Sequence, residues 1–390
     1  MPTRRSAAVA YERRIEQRLA AISDRIRSGD PTGTVTDTTR VLTDLNTAVQ
    51  RYDSSNGFLN RLFDSARAVH GRAVAADPPR PKRLAEVLWR LAQMDPLDGF
   101  VQAYPDYAEH LGEEGRAHYR ALARAAFDAL PPPAGRWDHT PGAFAPTAVL
   151  QAIAQHDRDV ELLEHASCRD LVHPYGYARL IQRCQAMGRP DRAVRWVRQG
   201  LDAFAVGADP RLSVAAAEAL REAGEVDEAL DIARTHLRAA PTPAGWRAFA
   251  AAAEAAGLPA PLRDAVLDEL VADAPVDQVV AILLDIGEVE RAWDVAEQRG
   301  ADRRSWSWLA EAIAPFDPAR AAQVHHRELE ETLRMTSKAA YNRVVGLLLH
   351  LRDLHEAADD LDGYHRLVER VRTDHHRRIA MLRRMDDAGL

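Results

Sequence analysis

The chain has 390 residues, 51 basic against 58 acidic side chains for a formal charge of -7, 46% apolar and 6% aromatic residues, and two cysteines. Its length exceeds that of one ordinary domain, the negative balance excludes nucleic-acid binding through overall charge, and two cysteines exclude a disulfide framework. An apolar fraction dominated by Ala and Leu favours helix over strand.

From Ala7 to Ile26, the residues Tyr11, Ile15, Leu19, Ile22 and Ile26 recur at helical spacing, and Gly29-Asp-Pro31 ends the pattern. A second helix, capped by Thr36 or Asp37, carries Val41, Leu45, Val49 and Tyr52; a third carries Leu59, Phe63, Ala66 and Val69. After Pro81 the stripe is Leu84, Val87, Leu88 and Leu91, and after Gly115 it is Tyr119, Leu122, Ala126 and Leu130. These segments predict an N-terminal helical domain over residues 1–130. Pro131-Pro-Pro-Ala-Gly135 and Thr140-Pro-Gly142 then break the pattern twice, which predicts a Pro/Gly-rich linker over 131–146.

Beyond it, three stretches share one grammar: Gly188-Arg-Pro-Asp-Arg-Ala193, Gly224-Glu-Val-Asp-Glu-Ala229 and Gly287-Glu-Val-Glu-Arg-Ala292. A Gly ends one helix, an acidic residue falls in the first turn of the next, and a small Ala lets the two pack closely. Helix pairs follow: Tyr177, Leu180, Ile181 and Cys184 with Ala193, Val197, Leu201 and Phe204, then Leu212, Ala216 and Leu220 with Ala229, Ala233 and Leu237. Trp246, Phe249 and Ala253 open a third unit, Val276, Val280 and Leu283 a fourth, Trp308, Ala312 and Ile313 a fifth, and Tyr341, Val345 and Leu348 a sixth. A recurrence of roughly 30 to 36 residues and the Ala229-to-Pro241 spacing resemble tetratricopeptide repeats. The expected fold is all-α: a tetratricopeptide-like helical-repeat solenoid over 147–390 behind an N-terminal helical domain.

The sequence assembles no catalytic constellation: there is no phosphate loop, Gly-x-Ser-x-Gly elbow or Ser-x-x-Lys. His325-His326, His350 with His355, and His375-His376 lack the three- or four-residue spacing by which one helix face offers two metal ligands, so they read as solvated histidines. Tyr52-Asp-Ser-Ser-Asn-Gly57 looks faintly like a calcium loop, but Tyr52 and Phe63 stand where the first and twelfth ligands belong, so a polar turn is the better reading. Cys184 shares a stripe with Leu180 and Ile181 and reads as a core thiol; the competing arrangement is a zinc site from Cys168, Cys184 and His173. The run from Arg370 to Arg384 is the one concentrated basic segment, read as the solvated side of a terminal helix whose other side carries Ile379 and Leu382. Trp306 and Trp308, two positions apart, point in different directions, so one of them is expected to be partly exposed as a contact anchor. Arginine outnumbers lysine so heavily, with Lys82 and Lys338 the only lysines, that its abundance reads as a habit of base composition.

Several stretches together resemble the helical C-terminal region of bacterial SWIM zinc-finger proteins: Tyr52 to Gly57, Leu111 to Leu122, Arg169 to Tyr177, Met187 to Leu212, Tyr341 to His355 and His375 to Leu382. The family's Cys-x-Cys and Cys-x-His zinc ligands have no counterpart here, so its metal binding carries over to no residue. What the resemblance implies is a helical partner module with an AAA-type ATPase or a von Willebrand A-domain protein as partner.

The functional expectation is a non-catalytic scaffold or adaptor that binds a protein or peptide in its helical groove, without cofactor or metal. Tyr175, Arg179, Arg183, Arg247, Asn342 and Arg343 lie off the apolar stripes and are the candidate partner-binding residues. The alternative is a nucleic-acid-binding accessory protein that uses the basic C-terminal helix. The opening ten residues are too weakly apolar for a signal peptide, and the stretch Val344 to Leu351 falls far below the roughly 18 residues of a membrane span. A cytoplasmic location without membrane attachment is therefore expected.

Overall fold

A computed structural model of the chain describes residues 4–49, 51–52, 57–94, 99–133, 135, 140–206 and 209–390. Its regular elements are α-helices with one 3-10 turn, and no strand occurs among the described residues. Packing divides the chain into two compact units, Met1–Ala205 and Val206–Leu390.

The first unit contains α1 (Arg4–Arg27), α2 (Thr34–Ala48), α3 (Phe58–Ala76), α4 (Pro81–Met94), α5 (Tyr104–Asp128), α6 (Phe144–Asp157), α7 (Val160–Ser167), a 3-10 turn (Cys168–Val172), α8 (Pro174–Ala186) and α9 (Pro190–Ala203). The second contains α10 (Pro210–Glu222), α11 (Val226–Ala239), α12 (Pro243–Ala255), α13 (Ala260–Asp273), α14 (Val276–Asp285), α15 (Val289–Arg299), α16 (Arg303–Ile313), α17 (Pro318–Leu333), α18 (Lys338–Ala357), α19 (Leu361–Asp374) and α20 (Ile379–Asp387). Within each unit, helices pack mainly on the next helix or the next but one, the neighbour-on-neighbour stacking of a tetratricopeptide-like repeat fold. Each fully buried Leu or Phe contributes roughly 1.5–3 kcal/mol, whereas an exposed ion pair contributes about 0–1 kcal/mol. The apolar stripes therefore set the stacking. No helix among the described residues is long and apolar enough to cross a membrane.

The three Gly turns have one geometry. Gly224 sits at φ 86°, its N–H reaches the carbonyl of Arg221 at 3.1 Å, and the Glu225 N–H closes back to Leu220 at 2.9 Å. Gly188 and Gly287 repeat this with Arg189 to Cys184 at 2.9 Å and Glu288 to Leu283 at 2.8 Å. This is the left-handed closure that satisfies orphan carbonyls at a helix end. It recurs where the sequence grammar is silent: Gly257 with Leu258 to Ala253, Arg158 with Asp159 to Ala154, and Asp359 with Asp360 to His355. The last two put a non-glycine at φ 56° and φ 55°.

Several sequence expectations need correction. The Pro/Gly-rich segment 131–146 lies inside the first unit, and α5 packs against α6 across it, so the division of the chain falls near residue 205 instead. A chain break in local pattern does not prevent the flanking helices from sharing a core. The helix expected after Gly115 begins at Tyr104, continues through a non-helical Gly112, and buries Tyr119, Ala123 and Phe127 in place of Leu122, Ala126 and Leu130. In α18 Leu348 is buried as expected, but Ala340, Val344, Leu347 and Leu351 share the buried face in place of the half-buried Tyr341 and Val345. The basic C-terminal run is broken between α19 and α20, and α20 buries Met381 and Met385 while Ile379 is exposed. The Tyr52–Gly57 turn lies largely outside the described residues.

Two substitutions of the same kind should act in opposite directions. Gly224→Ala forces a side chain into the left-handed region and should lower stability by about 1–2 kcal/mol. Gly346, inside α18 with open space where a Cβ would stand, should raise stability by roughly 0.5–1 kcal/mol when replaced by Ala. Urea unfolding of the full chain reads both, and equal signs would contradict this account of the turns.

Candidate functional site

In the first unit, α8 begins at Pro174, directly after an extended His173, and its first turns present Tyr175 and Arg179 on one side. Tyr175 is 42% exposed, and the Arg179 guanidinium lies over its ring at 5.6 Å from the centroid, a cation–π contact at i,i+4 spacing. The helix start is fixed by contact: a Cβ at Gly176 would stand 1.9 Å from the Asp170 carbonyl oxygen, so only glycine lets α8 press on the 3-10 turn. One turn further, Arg183 donates through Nη1 to Gln151 Oε1 at 2.7 Å, and Gln151 Nε2 donates to Asp170 Oδ2 at 3.0 Å. Burial, then the neighbouring Arg179 charge, lowers the Arg183 pKa to about 10, so the group remains cationic at neutral pH. Tyr175, Arg179 and Arg183 therefore form one surface, braced by the buried Gln151. Gln151 had no signal in the sequence, because a lone Gln on an Ala-rich helix matches no motif.

A second feature of this unit was equally illegible. A cleft of about 470 Å³ runs between α2 and α4, lined by Thr36, Thr39, Arg40, Arg83 and Arg90 among others. Arg40 is tied to Asp37 at 3.2 Å and Arg83 to Glu86 at 3.0 Å. Behind Thr39, the buried His70 lies 3.3 Å from Thr39 Oγ1 and 2.8 Å from the Tyr107 hydroxyl, with its pKa lowered to about 4 by burial.

In the second unit, the candidate residues are engaged within the fold. Arg247 on α12 donates to Asp285 of α14 at 3.2 Å. Asn342 Oδ1 accepts from Arg384 Nε at 2.9 Å. Arg343 Nε donates to Glu328 Oε1 at 2.9 Å, and Arg303 donates to the same oxygen. Glu328 is only 7% exposed, and although burial pushes its pKa up, the two guanidinium groups outweigh it and hold the carboxyl below its usual range. Beside this carboxylate is a recess of about 250 Å³ lined by Arg303, Trp306, Arg327, Glu328 and Glu331 among others. Trp306 meets Trp293 edge-on at 5.1 Å and has Arg327 over its ring at 5.7 Å, while Trp308 carries Arg304 at 4.7 Å; both indoles are half-buried.

The solvated reading of the histidines is overturned for two of them. His325 and His355 are buried, at 6% and 9% exposure, because α17 and α18 face each other along these positions. His325 meets His350 edge-on at 4.5 Å, and His326 Nε2 lies 3.0 Å from His355 Nε2. No group of three or more His, Cys, Asp or Glu among the described residues is arranged to hold a metal ion. Cys184 is fully buried with its pKa pushed up to about 11 by burial, whereas Cys168 is exposed at the start of the 3-10 turn. In the C-terminal basic run, Arg370 pairs with Glu330 at 2.7 Å, Arg372 with Asp386 at 2.6 Å, and Arg378 donates to the Leu333 carbonyl at 2.5 Å.

Removing the carboxylate hub tests its structural role. Glu328→Gln should lower stability at pH 7 by about 1–2 kcal/mol, the scale of charge-assisted hydrogen bonds discounted for half-exposed arginines. With its folded-state pKa depressed, the Glu328 contribution is present above its unfolded pKa and lost as pH falls through the acidic range. Urea unfolding at pH 7 and pH 4 should therefore show a smaller difference between variant and parent at the lower pH.

No protein-family model matches the chain, and no curated protein matches it. Among solved structures it is similar to the human IFIT1 dimer with PPP-AAAA, at 9% identity and a TM-score of 0.27, over 89% of this chain and 87% of that one. It is also similar to a circular tandem repeat protein with novel repeat topology and enhanced subunit contact surfaces, at 16% identity and a TM-score of 0.19, over 95% of this chain and 90% of that one.

Proposed function

We propose that this protein is a non-catalytic scaffold or adaptor that binds a protein or peptide partner on its helical-repeat surface. The observation that carries the reading is the Tyr175–Arg179 pair: an exposed aromatic ring, a guanidinium laid over it, and a second cation, Arg183, braced from behind by Gln151. Aromatic and arginine side chains held in place before binding lose little entropy on contact and dominate interface energetics. A partner with carboxylate or other acidic groups fits two cations beside an apolar ring. Arg247, Asn342 and Arg343 belong to the proposed surface of the second unit, where Arg247 and Arg343 present guanidinium groups already bound to one carboxylate each. The reading includes no catalytic step, metal or cofactor, and places the protein in the cytoplasm. The resemblance to SWIM-family helical regions adds an AAA-type ATPase or a von Willebrand A-domain protein as the expected class of partner. Nucleic acid is not the expected ligand, because Arg370, Arg372 and Arg378 are engaged within the fold.

Affinity purification of the full chain from its native host should recover a specific partner, and Tyr175→Ala or Arg179→Glu should weaken that recovery about tenfold, the scale of one interface hot spot. Unchanged recovery in both variants removes this surface from the site. An electrophoretic shift assay with single- and double-stranded nucleic acid should stay negative even at low salt, where counterion release favours binding most.

A further inference from the structure

The contact between His326 and His355 joins α17 to the end of α18, and its proton content follows from its neighbours. His355 Nδ1 lies 3.1 Å from both the carbonyl oxygen and Oδ2 of Asp360. Both are acceptors, so Nδ1 carries a hydrogen, and in neutral His355 the Nε2 atom is a bare lone pair. That lone pair faces His326 Nε2 at 3.0 Å, so His326 must carry its hydrogen on Nε2 and donate it.

The ring centroids are 5.2 Å apart, longer than the nitrogen separation by nearly two ring radii, so the two nitrogens point at each other head-on. A bridging zinc ion about 2.0–2.1 Å from each would need about 4 Å between head-on nitrogens. The geometry is that of a hydrogen bond.

One added proton is accommodated. His355 then donates from Nε2, and His326 shifts its own hydrogen to Nδ1. A second proton sets two N–H groups against each other at a distance that only one hydrogen can occupy.

We propose that His326 and His355 form a proton-operated clasp between α17 and the α18–α19 turn, closed while the pair holds at most one extra proton and opened by the second. Asp360 links the clasp to α19: its carboxylate accepts the Gly363 N–H at 3.0 Å as the helix cap while also facing His355. The turn itself contains Asp359 at φ 55°. His326 is half-buried and so already reaches solvent in part.

Burial, more than the neighbouring charges, favours opening in acid, and the carboxylates of Glu330 and Asp360 oppose it. From α17 the pair faces Glu330 and His325; from α18, His355 itself; and from α19, Arg370, with Arg366 4.0 Å from Asp360 and Tyr364 beside the His355 ring. Burial first, then the charges of His355 and Arg370, hold the His326 pKa below its ordinary value against the opposing effect of Glu330. His325, flanked by His350, Glu328 and Arg343, is shifted the same way, chiefly by burial. For a histidine with a depressed folded-state pKa, the unfolded chain takes up protons first, so the stabilisation is lost as pH falls below about 6.5.

The test uses the full chain labelled with ¹⁵N at histidine. At pH 7.5, His355 should be the Nδ1–H tautomer and His326 the Nε2–H tautomer; an Nδ1–H tautomer at His326 would overturn the clasp. Hydrogen exchange across residues 361–374, corrected for the intrinsic pH dependence, should rise at least threefold between pH 7 and pH 5. In His326→Gln, whose amide N–H still reaches His355 but does not titrate, that rise should fall to less than half. An equal rise in variant and parent overturns the proposal, as does a stoichiometric zinc ion that abolishes the titration of both rings. If the variant fails to fold, the tautomers in the unaltered chain decide the matter.

Discussion

The fold rests on how the chain reverses between helices. At the turns of Arg158, Gly188, Gly224, Gly257, Gly287 and Asp359 the last carbonyls of one helix would be left without donors, and a residue in the left-handed region swings the next N–H back five residues to meet them. The turn limits the direction of the following helix, and the apolar stripes set the stacking within that limit. Small residues at the contact, such as Ala193, Ala229 and Ala292, all fully buried, let the backbones come close.

On this frame the arginines do a job that composition did not suggest. Arg120 reaches Asp157 and Asp159, Arg192 and Arg195 reach Glu164, Arg320 reaches Glu290, and Arg370 reaches Glu330, each across 28 to 40 residues of sequence. Apart from those of Arg120, these ties join a helix to the next but one. A planar guanidinium can serve two acceptors at once from a half-buried position, as Arg192 does with Glu161 and Glu164, which lysine does less well. Individually the exposed ties are weak.

Local chemistry of the turns and long stripes was legible from sequence, and anything that depended on which neighbour a helix meets was not. Val41, Leu45, Leu59 and Phe63 were identified correctly because a strong 3.6-residue pattern leaves one solution. In α18 the sequence pattern places Leu348 correctly but not Tyr341 and Val345, because apolar residues stand at adjacent positions there and leave two faces open. The turns at Arg158 and Asp359 escaped notice because the left-handed residue there is not glycine. The histidines show the same limit at the candidate sites: His326 and His355 are 29 residues apart, and no spacing rule on one helix brings them together. Tyr175 and Arg179, four apart on one helix, were accessible to such a rule, whereas their brace Gln151 lies on another helix.

Because substantial helix packing reaches no further than the next helix but one, the two units place little demand on distant parts of the chain. During synthesis, a helix pair has nearly all its packing partners once the following pair has left the ribosome, and it need not wait for a remote strand or terminus to arrive. The interval during which apolar stripes lie uncovered is then set by one repeat of translation, some thirty residues, and not by the length of the protein.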